Sequence, residues 1–231
     1  MVEAHMVIQQ GTPKDFKKVQ LRGKTLHLGS GSSWIWARRP EEPVVNFGRR
    51  LHRVELLRLK MKHRAGMSGR AIVLGRSRLM DYLVAKVFWE HCFQNSRTFL
   101  ASEDVAVLAL GGYGREELAP YSDIDLMFLR KKGKVGSESA QIETMLCLLW
   151  DMGIEVGHSV RTVTESIQLA RKDLVSQMAM LDCRLLVGNK DLVDEFKARL
   201  QQTFVGRPRS LQKKLLASIE ERHLIQGGTA F

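Results

Sequence analysis

The stretch VAVLALGGYGREELAPYSDIDLMFL, residues 105–129, decides the fold of this chain. It contains two apolar runs, at 105–110 and 124–129. A glycine-rich turn follows the first run, and two acids, at 123 and 125, stand where the second run begins. Short runs of large apolar side chains, bounded by turn residues, are typical of buried strands. We therefore predict two strands joined by a turn, with the polar groups gathered beside it.

Two acids, Asp123 and Asp125, stand on either side of Ile124. In a strand, side chains two apart point to the same face, so the two carboxylates are expected to project together. Such neighbours repel each other and lose solvation, which is costly without a cation. Mg²⁺ takes oxygen ligands, often one or two carboxylates plus substrate phosphates. We predict that Asp123 and Asp125 are catalytic residues that bind Mg²⁺; a solvated strand end is the alternative.

A glycine-rich turn, GGYG at 111–114, ends the first run. Glycine allows a ligand to approach the main chain, and the N–H groups of such a turn bind phosphate. A short helix is expected at 116–119. The predicted nucleotide-binding residues are Gly111, Gly112, Gly114, Arg115 and Ser122. The alternative is an ordinary turn in which Arg115 pairs with Glu116 or Glu117.

Two longer motifs follow: LLWDMGIEVGHSVRTVTES at 148–166 and LDCRLLVGNKDL at 181–192. A glycine pair followed by D-x-D between two strands resembles the DNA-polymerase-beta-like nucleotidyltransferases. With the longer motifs, the segment from about 76 to 231 resembles the N-terminal transferase domain of the PII protein uridylyltransferases. These are the bifunctional uridylyltransferase/uridylyl-removing enzymes of bacterial nitrogen sensing.

The resemblance implies a reaction as well as a fold. Enzymes of this family use UTP and magnesium to attach UMP to a tyrosine hydroxyl of the small signalling protein PII, and they release pyrophosphate. Gly111 and Gly112 would then form the phosphate-binding turn, and Asp123 and Asp125 would hold the metal. The expected mechanism is in-line attack on the α-phosphorus, with catalysis mainly from positioning and charge neutralisation. One position departs from the family pattern, because Glu116 stands where many members have glycine.

The superfamily commonly has a third acid on a neighbouring strand, which holds a second metal or accepts the proton of the nucleophile. Residues 154–161 are predicted to form that strand, and alternation places Glu155, Gly157 and Ser159 on one face. Glu155 is therefore the candidate for the third catalytic residue. In a different register Gly157 would stand where the acid is expected, and the third group would be missing.

Composition is that of an ordinary globular protein. The 231 residues are enough for one domain with an appendage, and 26% of them are charged and 44% hydrophobic. No apolar stretch approaches the roughly 20 residues that span a bilayer, so no membrane partner is expected. The three cysteines are far apart and fit neither a disulfide framework nor a zinc site. The cytoplasm is the expected compartment.

Positive charge is concentrated in the first third of the chain. The formal net charge is +11; residues 1–70 contain 15 lysines and arginines against 5 acids, and residues 71–231 contain 21 against 20. A basic segment can bind nucleic acid. We instead predict a basic, flexible leader at 1–50 and expect no nucleic-acid partner.

The remaining segments predict an α+β fold: a small mixed β-sheet nucleotidyltransferase core with flanking helices and a C-terminal helical lobe. The core with its N-terminal helices is assigned to 51–165, and the lobe, truncated relative to the family, to 166–231. One helix of the lobe is predicted to end at Gly188. Its apolar stripe consists of Leu174, Met178, Leu181 and Leu185.

Two other functions are compatible with these motifs. One is adenylyl transfer, since the residues that select the base are not identifiable in the sequence. The other is a catalytically idle module that binds a nucleotide or a partner. We also expect no uridylyl-removing activity, because the family's hydrolase carries a His-Asp dipeptide and none of the seven histidines here precedes an aspartate.

Overall fold

The computed structural model describes residues 18–21, 24–27, 38–39, 41–93, 104–131, 137–204 and 208–225. Most of the predicted leader lies outside these residues. Its described parts include an antiparallel pair of short strands, β1 (Lys18–Leu21) and β2 (Lys24–His27), and the first turns of helix α1 (Val44–Arg64). The segment assigned to the core domain therefore takes its first helix from the end of the predicted leader.

A four-stranded mixed sheet forms the centre of the fold. Its strands are β3 (Val105–Ala109), β4 (Ile124–Arg130), β5 (Val156–Thr162) and β6 (Arg184–Gly188), in the order β5-β4-β3-β6. β4 and β5 are parallel, whereas β3 is antiparallel to both β4 and β6. Every residue of β3 is buried, as expected for an apolar strand covered on both faces. The mixed sheet confirms the predicted fold class.

Helices cover both faces of this sheet. The helices that follow α1 along the chain are α2 (Gly69–Phe93), α3 (Gly111–Gly114), α4 (Ser137–Asp151), α5 (Val163–Lys172), α6 (Leu174–Leu181), α7 (Lys190–Phe204) and α8 (Pro208–Ile225). Side chains of α1, α2 and α4 form one core layer with Val105 and Val107 of β3. Side chains of α5, α6 and α7 form the other layer with Ala106 and Leu108. The alternation along β3 thus separates two apolar layers.

No helix in the described ranges is long and apolar enough to cross a membrane.

One predicted helix is wrong. α6 ends at Leu181, and Leu185 lies in β6, paired with β3. The run at 185–187 is short and apolar, and periodicity cannot separate a strand from a helix over so few residues. Gly188 ends a strand, because its φ is +97° and a Cβ there would lie 2.3 Å from the Val105 carbonyl oxygen. The segment assigned to the helical lobe therefore contributes a strand to the sheet.

Candidate active site

The glycine-rich turn forms the single helical turn α3, directly after β3. Leu110 is extended, with φ −115° and ψ 163°, and Gly111 then takes a φ of +53°, with no atom within 4 Å of the place its Cβ would occupy. The first N–H groups of a helical turn have no acceptor within it, so the turn presents backbone donors. The short helix predicted at 116–119 is wrong, since the helical turn lies at 111–114 instead.

The glycines of this turn serve different purposes. Gly112 has room, because a Cβ there would lie 3.6 Å from the nearest atom, the Glu117 carbonyl oxygen. Gly114 is buried, and its Cβ would lie 2.0 Å from the Asp182 carbonyl oxygen. Glycine is thus needed at 114 so that the turn can pack against the end of α6. The structure leaves Gly111 and Gly112 as the glycines with space beside them.

Asp123 and Asp125 are brought together by the start of β4. Asp125 is the register partner of Gly157 on the parallel strand β5. A Cβ at Gly157 would lie 2.6 Å from the Asp125 Oδ1 and 3.7 Å from the Asp123 Oδ2. Both carboxylates therefore lie beside the bare backbone of Gly157, where a side chain would occupy the space of the Asp125 carboxylate.

Burial and a neighbouring charge both act on the Asp125 carboxylate. Burial raises the pKa of Asp125 above its ordinary value, and the nearby charge of Asp123 raises it further. A cation between them would reverse this repulsion. Across the described residues, no three or more His, Cys, Asp or Glu side chains come together as a metal site. The two aspartates thus form a two-ligand set, which fits a cation that also takes waters or phosphates.

Glu155 lies beside this pair but outside the strand. Its carbonyl oxygen accepts the Ile124 N–H at 2.9 Å, and its side chain is exposed just before β5 begins. Ile124 pairs with Val156 at the start of the two parallel strands, so Asp123 and Glu155 each lie one residue before that first pair. Gly157 is the register partner of Asp125. The catalytic role of Glu155 stays a prediction.

Arg115 and Ser122, the other predicted nucleotide ligands, already have partners. Arg115 donates from Nε to the Glu117 carboxylate at 2.9 Å and from Nη1 to the Asp182 carboxylate. These hydrogen bonds, to Glu117 first, raise its pKa. The Ser122 hydroxyl donates to the Ala119 carbonyl at 3.0 Å. The ion pair of Arg115 with Glu117 matches the alternative interpretation of the turn.

An ion pair that was not predicted from the sequence holds the glycine-rich turn. Arg184 of β6 donates to both carboxylate oxygens of Asp81 in α2, at 2.7 and 3.0 Å. It also donates to the carbonyl oxygens of Tyr113 at 3.1 Å and Gly114 at 3.2 Å. Burial lowers the pKa of Arg184, but the hydrogen bonds and charge of Asp81, together with Tyr113 and Glu116, raise it, and the net pKa is raised.

Comparison with known proteins places the chain beside one group of enzymes. It is 37% identical over 168 residues to a "Bifunctional uridylyltransferase/uridylyl-removing enzyme" of Erythrobacter litoralis, covering 71% of this chain and 18% of that protein. A protein of the same name from Aromatoleum aromaticum is 38% identical over 143 residues, or 62% of this chain and 16% of that protein. One from Zymomonas mobilis is 32% identical over 164 residues, or 71% and 17%.

No protein-family model matches the chain. The chain spans less than a fifth of the length of the curated relatives it matches. The resemblance drawn from the motifs is confirmed over the matched part.

Proposed function

Because the chain is a homologue of one part of the bifunctional uridylyltransferase/uridylyl-removing enzymes, we propose that it is a magnesium-dependent nucleotidyltransferase. It would transfer UMP from UTP to a tyrosine of the PII signalling protein, in the cytoplasm, and release pyrophosphate. The observation that carries the proposal is that the Asp123 and Asp125 carboxylates lie together beside Gly157. The names of the relatives support the uridylyl group and the transfer reaction.

Each part of the site has a task in this reaction. Asp123 and Asp125 would hold Mg²⁺, which neutralises charge on the triphosphate and on the transition state. The N–H groups at Gly111 and Gly112 would donate to phosphate oxygens, as turn and helix-start amides do. Positioning by these groups accounts for most of the expected catalysis.

In the chemical step, the tyrosine oxygen forms a bond with the α-phosphorus of UTP. The bond from the α-phosphorus to the oxygen that bridges it to the β-phosphorus breaks in line, and pyrophosphate leaves with that oxygen. The phenol proton passes to a general base. Glu155 is the candidate for this base, since its side chain is exposed and it directly precedes Val156, the register partner of Ile124.

The test uses the purified chain, PII, Mg²⁺ and UTP labelled at the α-phosphate. We expect label on PII, and loss of at least about 100-fold in rate in Asp123→Asn and in Asp125→Asn. Asp194→Asn is the matched control, because Asp194 is an exposed acid of α7 paired with Lys190. Labelled PII from ATP but not from UTP would replace uridylyl with adenylyl transfer.

One observation favours a second candidate, a catalytically idle module that binds a nucleotide. The acidic pair has no third His, Cys, Asp or Glu grouped with it among the described residues. Calorimetric titration with UTP and Mg²⁺ separates the two: binding without pyrophosphate release would favour the idle module. Glu155→Gln belongs in the same test, and full turnover in that variant would assign the general base elsewhere.

A further inference from the structure

Two consecutive polar residues are buried in the apolar helix α2. Arg76 is 8% exposed and Ser77 is fully buried, next to core residues such as Leu79 and Met80. A buried charge or hydroxyl is costly unless it is hydrogen-bonded. Their partners therefore reveal what the two side chains hold in place.

Both side chains hold the segment that leads into the acidic pair, residues 118–122, which we call the strap. The Arg76 Nη1 donates to the Ala119 carbonyl and to the Ser122 Oγ, the latter at 3.3 Å, and its Nη2 donates to the Ser122 carbonyl at 2.7 Å. The Ser77 Oγ accepts the Leu118 N–H at 3.2 Å. Helix α2 thus holds both ends of the strap.

The strap is itself a turn. The Ser122 N–H donates to the Ala119 carbonyl at 3.2 Å, and Pro120 follows Ala119, the position that proline favours in such turns. Leu118 is 2% exposed and anchors the other end in the core. The turn is therefore held by its own hydrogen bond and by the buried Leu118, and the bonds of Arg76 connect it to α2.

The contact with the Ser122 carbonyl reaches Asp123 through one rigid unit. That carbonyl and the Asp123 nitrogen belong to the same peptide group, which is planar. Fixing the Ser122 oxygen therefore fixes the direction in which the backbone enters Asp123.

The charge of Arg76 also faces the site. Burial lowers the pKa of Arg76, and the carboxylates of Glu155 and Asp123 act against that change. Its Nε is buried and meets no acceptor among the described residues. The Arg76 guanidinium therefore donates to the Ala119 and Ser122 carbonyls of the strap, and the carboxylates of Glu155 and Asp123 attract its positive charge.

We propose that Arg76 is a positioning residue, which sets the place of Asp123 by holding the strap from α2. This inference rests on the proposed function, because the reaction is what the positioning serves. Arginine suits the task because its planar fork reaches two carbonyls and a hydroxyl at once, whereas lysine presents a single point charge.

The test compares wild type with Arg76→Lys, which keeps the charge and removes the fork. Hydrogen exchange of the strap amides should become about tenfold faster in this variant, while β3 and β4 keep their protection. In the transfer assay, kcat should fall about 100-fold and the KM for UTP should stay within a few-fold, since a small misplacement affects the reacting geometry most. A role confined to stability would leave kcat unchanged.

The matched control is Arg49→Lys. Arg49 also lies on a helix and also donates two bonds to a backbone carbonyl, that of Asp151, at 3.0 and 2.6 Å. This variant should keep both kcat and strap protection. Wild-type strap exchange together with wild-type kcat in Arg76→Lys would overturn the proposal.

Two negative outcomes have to be distinguished: the absence of UMP transfer by wild type and the failure of Arg76→Lys to fold. If wild type transfers no UMP, the proposed function fails, and the hydrogen-exchange comparison still decides whether Arg76 holds the strap. If Arg76→Lys does not fold, Ser77→Ala replaces it. That variant should expose the Leu118 amide to exchange and lower kcat by a smaller factor; no change in either would overturn the role of α2.

Discussion

At position 157 a side chain would compete with the Asp125 carboxylate for the same space. In Gly157→Ala the added Cβ would lie 2.6 Å from Oδ1, so the carboxylate has to move, while the backbone of β5 can stay. We expect the rate of UMP transfer to fall about 100-fold, because a shift of about 1 Å in a group that positions the reactants is enough for such a loss. Stability should change little.

Gly69→Ala is the control for that variant, because its Cβ at the start of α2 meets no atom within 4 Å. Steady-state transfer rates and the free energy of unfolding in urea measure the two effects. Wild-type turnover in Gly157→Ala would mean that the position of Asp125 does not matter.

The backbone at position 116 favours glycine. Among the described non-glycine residues, Glu116 alone has a positive φ, at 63°. The left-handed conformation costs a residue with a Cβ about 1–2 kcal/mol. Glu116→Gly should therefore raise the free energy of unfolding by about 1 kcal/mol, measured by urea denaturation.

Glu116→Ala separates this effect from the loss of charge. Alanine keeps the Cβ and so the strain, and we expect no gain from it. Equal stabilisation by both variants would assign the effect to the charge of Glu116 instead.

For single residues, the sequence predicted contacts that follow from spacing along one strand. It did not predict contacts that follow from how two strands align. The D-x-D spacing was sufficient to place Asp123 and Asp125 together. That Gly157 would face Asp125 depends on how β4 and β5 align, which no local pattern contains. The role of Arg76 was missed for the same reason, since its partners lie more than 40 positions along the chain.

Helix α5 begins with a reciprocal cap that can be tested by itself. The Thr162 Oγ1 accepts the Glu165 N–H at 3.3 Å, and the Glu165 carboxylate accepts the Thr162 N–H at 2.7 Å. That backbone hydrogen bond, the largest cause, lowers the pKa of Glu165. Thr162→Ala should lower the free energy of unfolding by about 1 kcal/mol, the usual effect of losing an N-cap hydroxyl.

Thr164→Ala provides the comparison within the same helix. Thr164 is exposed and its hydroxyl accepts one long bond, from Arg199 at 3.4 Å, so a much smaller loss is expected. Thermal unfolding of both variants measures the difference, and equal losses would contradict the cap.

Elements were predictable where one signal was strong. The apolar runs identified β3 and β4, and the T-x-x-E spacing at 162–165 is a capping box that the sequence analysis did not use. β6 was mistaken for helix because its pairing with β3, not its own periodicity, determines its structure. Likewise α3 lies at the glycines because the left-handed Glu116 follows, where a longer helix could not continue.

At the scale of the whole molecule, the two core layers connect the site to distant helices. α2 packs with α1 and α4 against one face of the sheet. The same helix carries Arg76 and Ser77, which bond to the strap, and Asp81, which pairs with the Arg184 that holds the glycine-rich turn. The sequence predicted amphipathic helices around a small sheet. It could not predict that one helix would join the core to both halves of the site, because those contacts form only after the sheet is assembled.

His52 of α1 lies against the end of α4, and we expect it to make the free energy of unfolding depend on pH. Its Nδ1 lies 3.3 Å from the Met152 carbonyl oxygen at the end of α4. Burial lowers its pKa below the ordinary 6.5, the hydrogen bond opposes that change, and the charge of Arg76 lowers it further. Well above pH 6.5 neither the folded nor the unfolded state carries the proton. As pH falls below 6.5, the unfolded state binds a proton that the folded state resists, so stability falls.

The size of this effect is limited by a single proton, to about 1.4 kcal/mol per pH unit. His52→Gln should therefore lose less stability than wild type between about pH 7 and pH 5.5, a window set by the ordinary histidine pKa. Urea denaturation at several pH values measures the slope, and His63→Gln, at the exposed end of the same helix, controls for the loss of a histidine. Identical slopes in wild type and His52→Gln would mean that α1 and α4 accept a charged imidazole between them, and that the positive charge of Arg76 is not felt there.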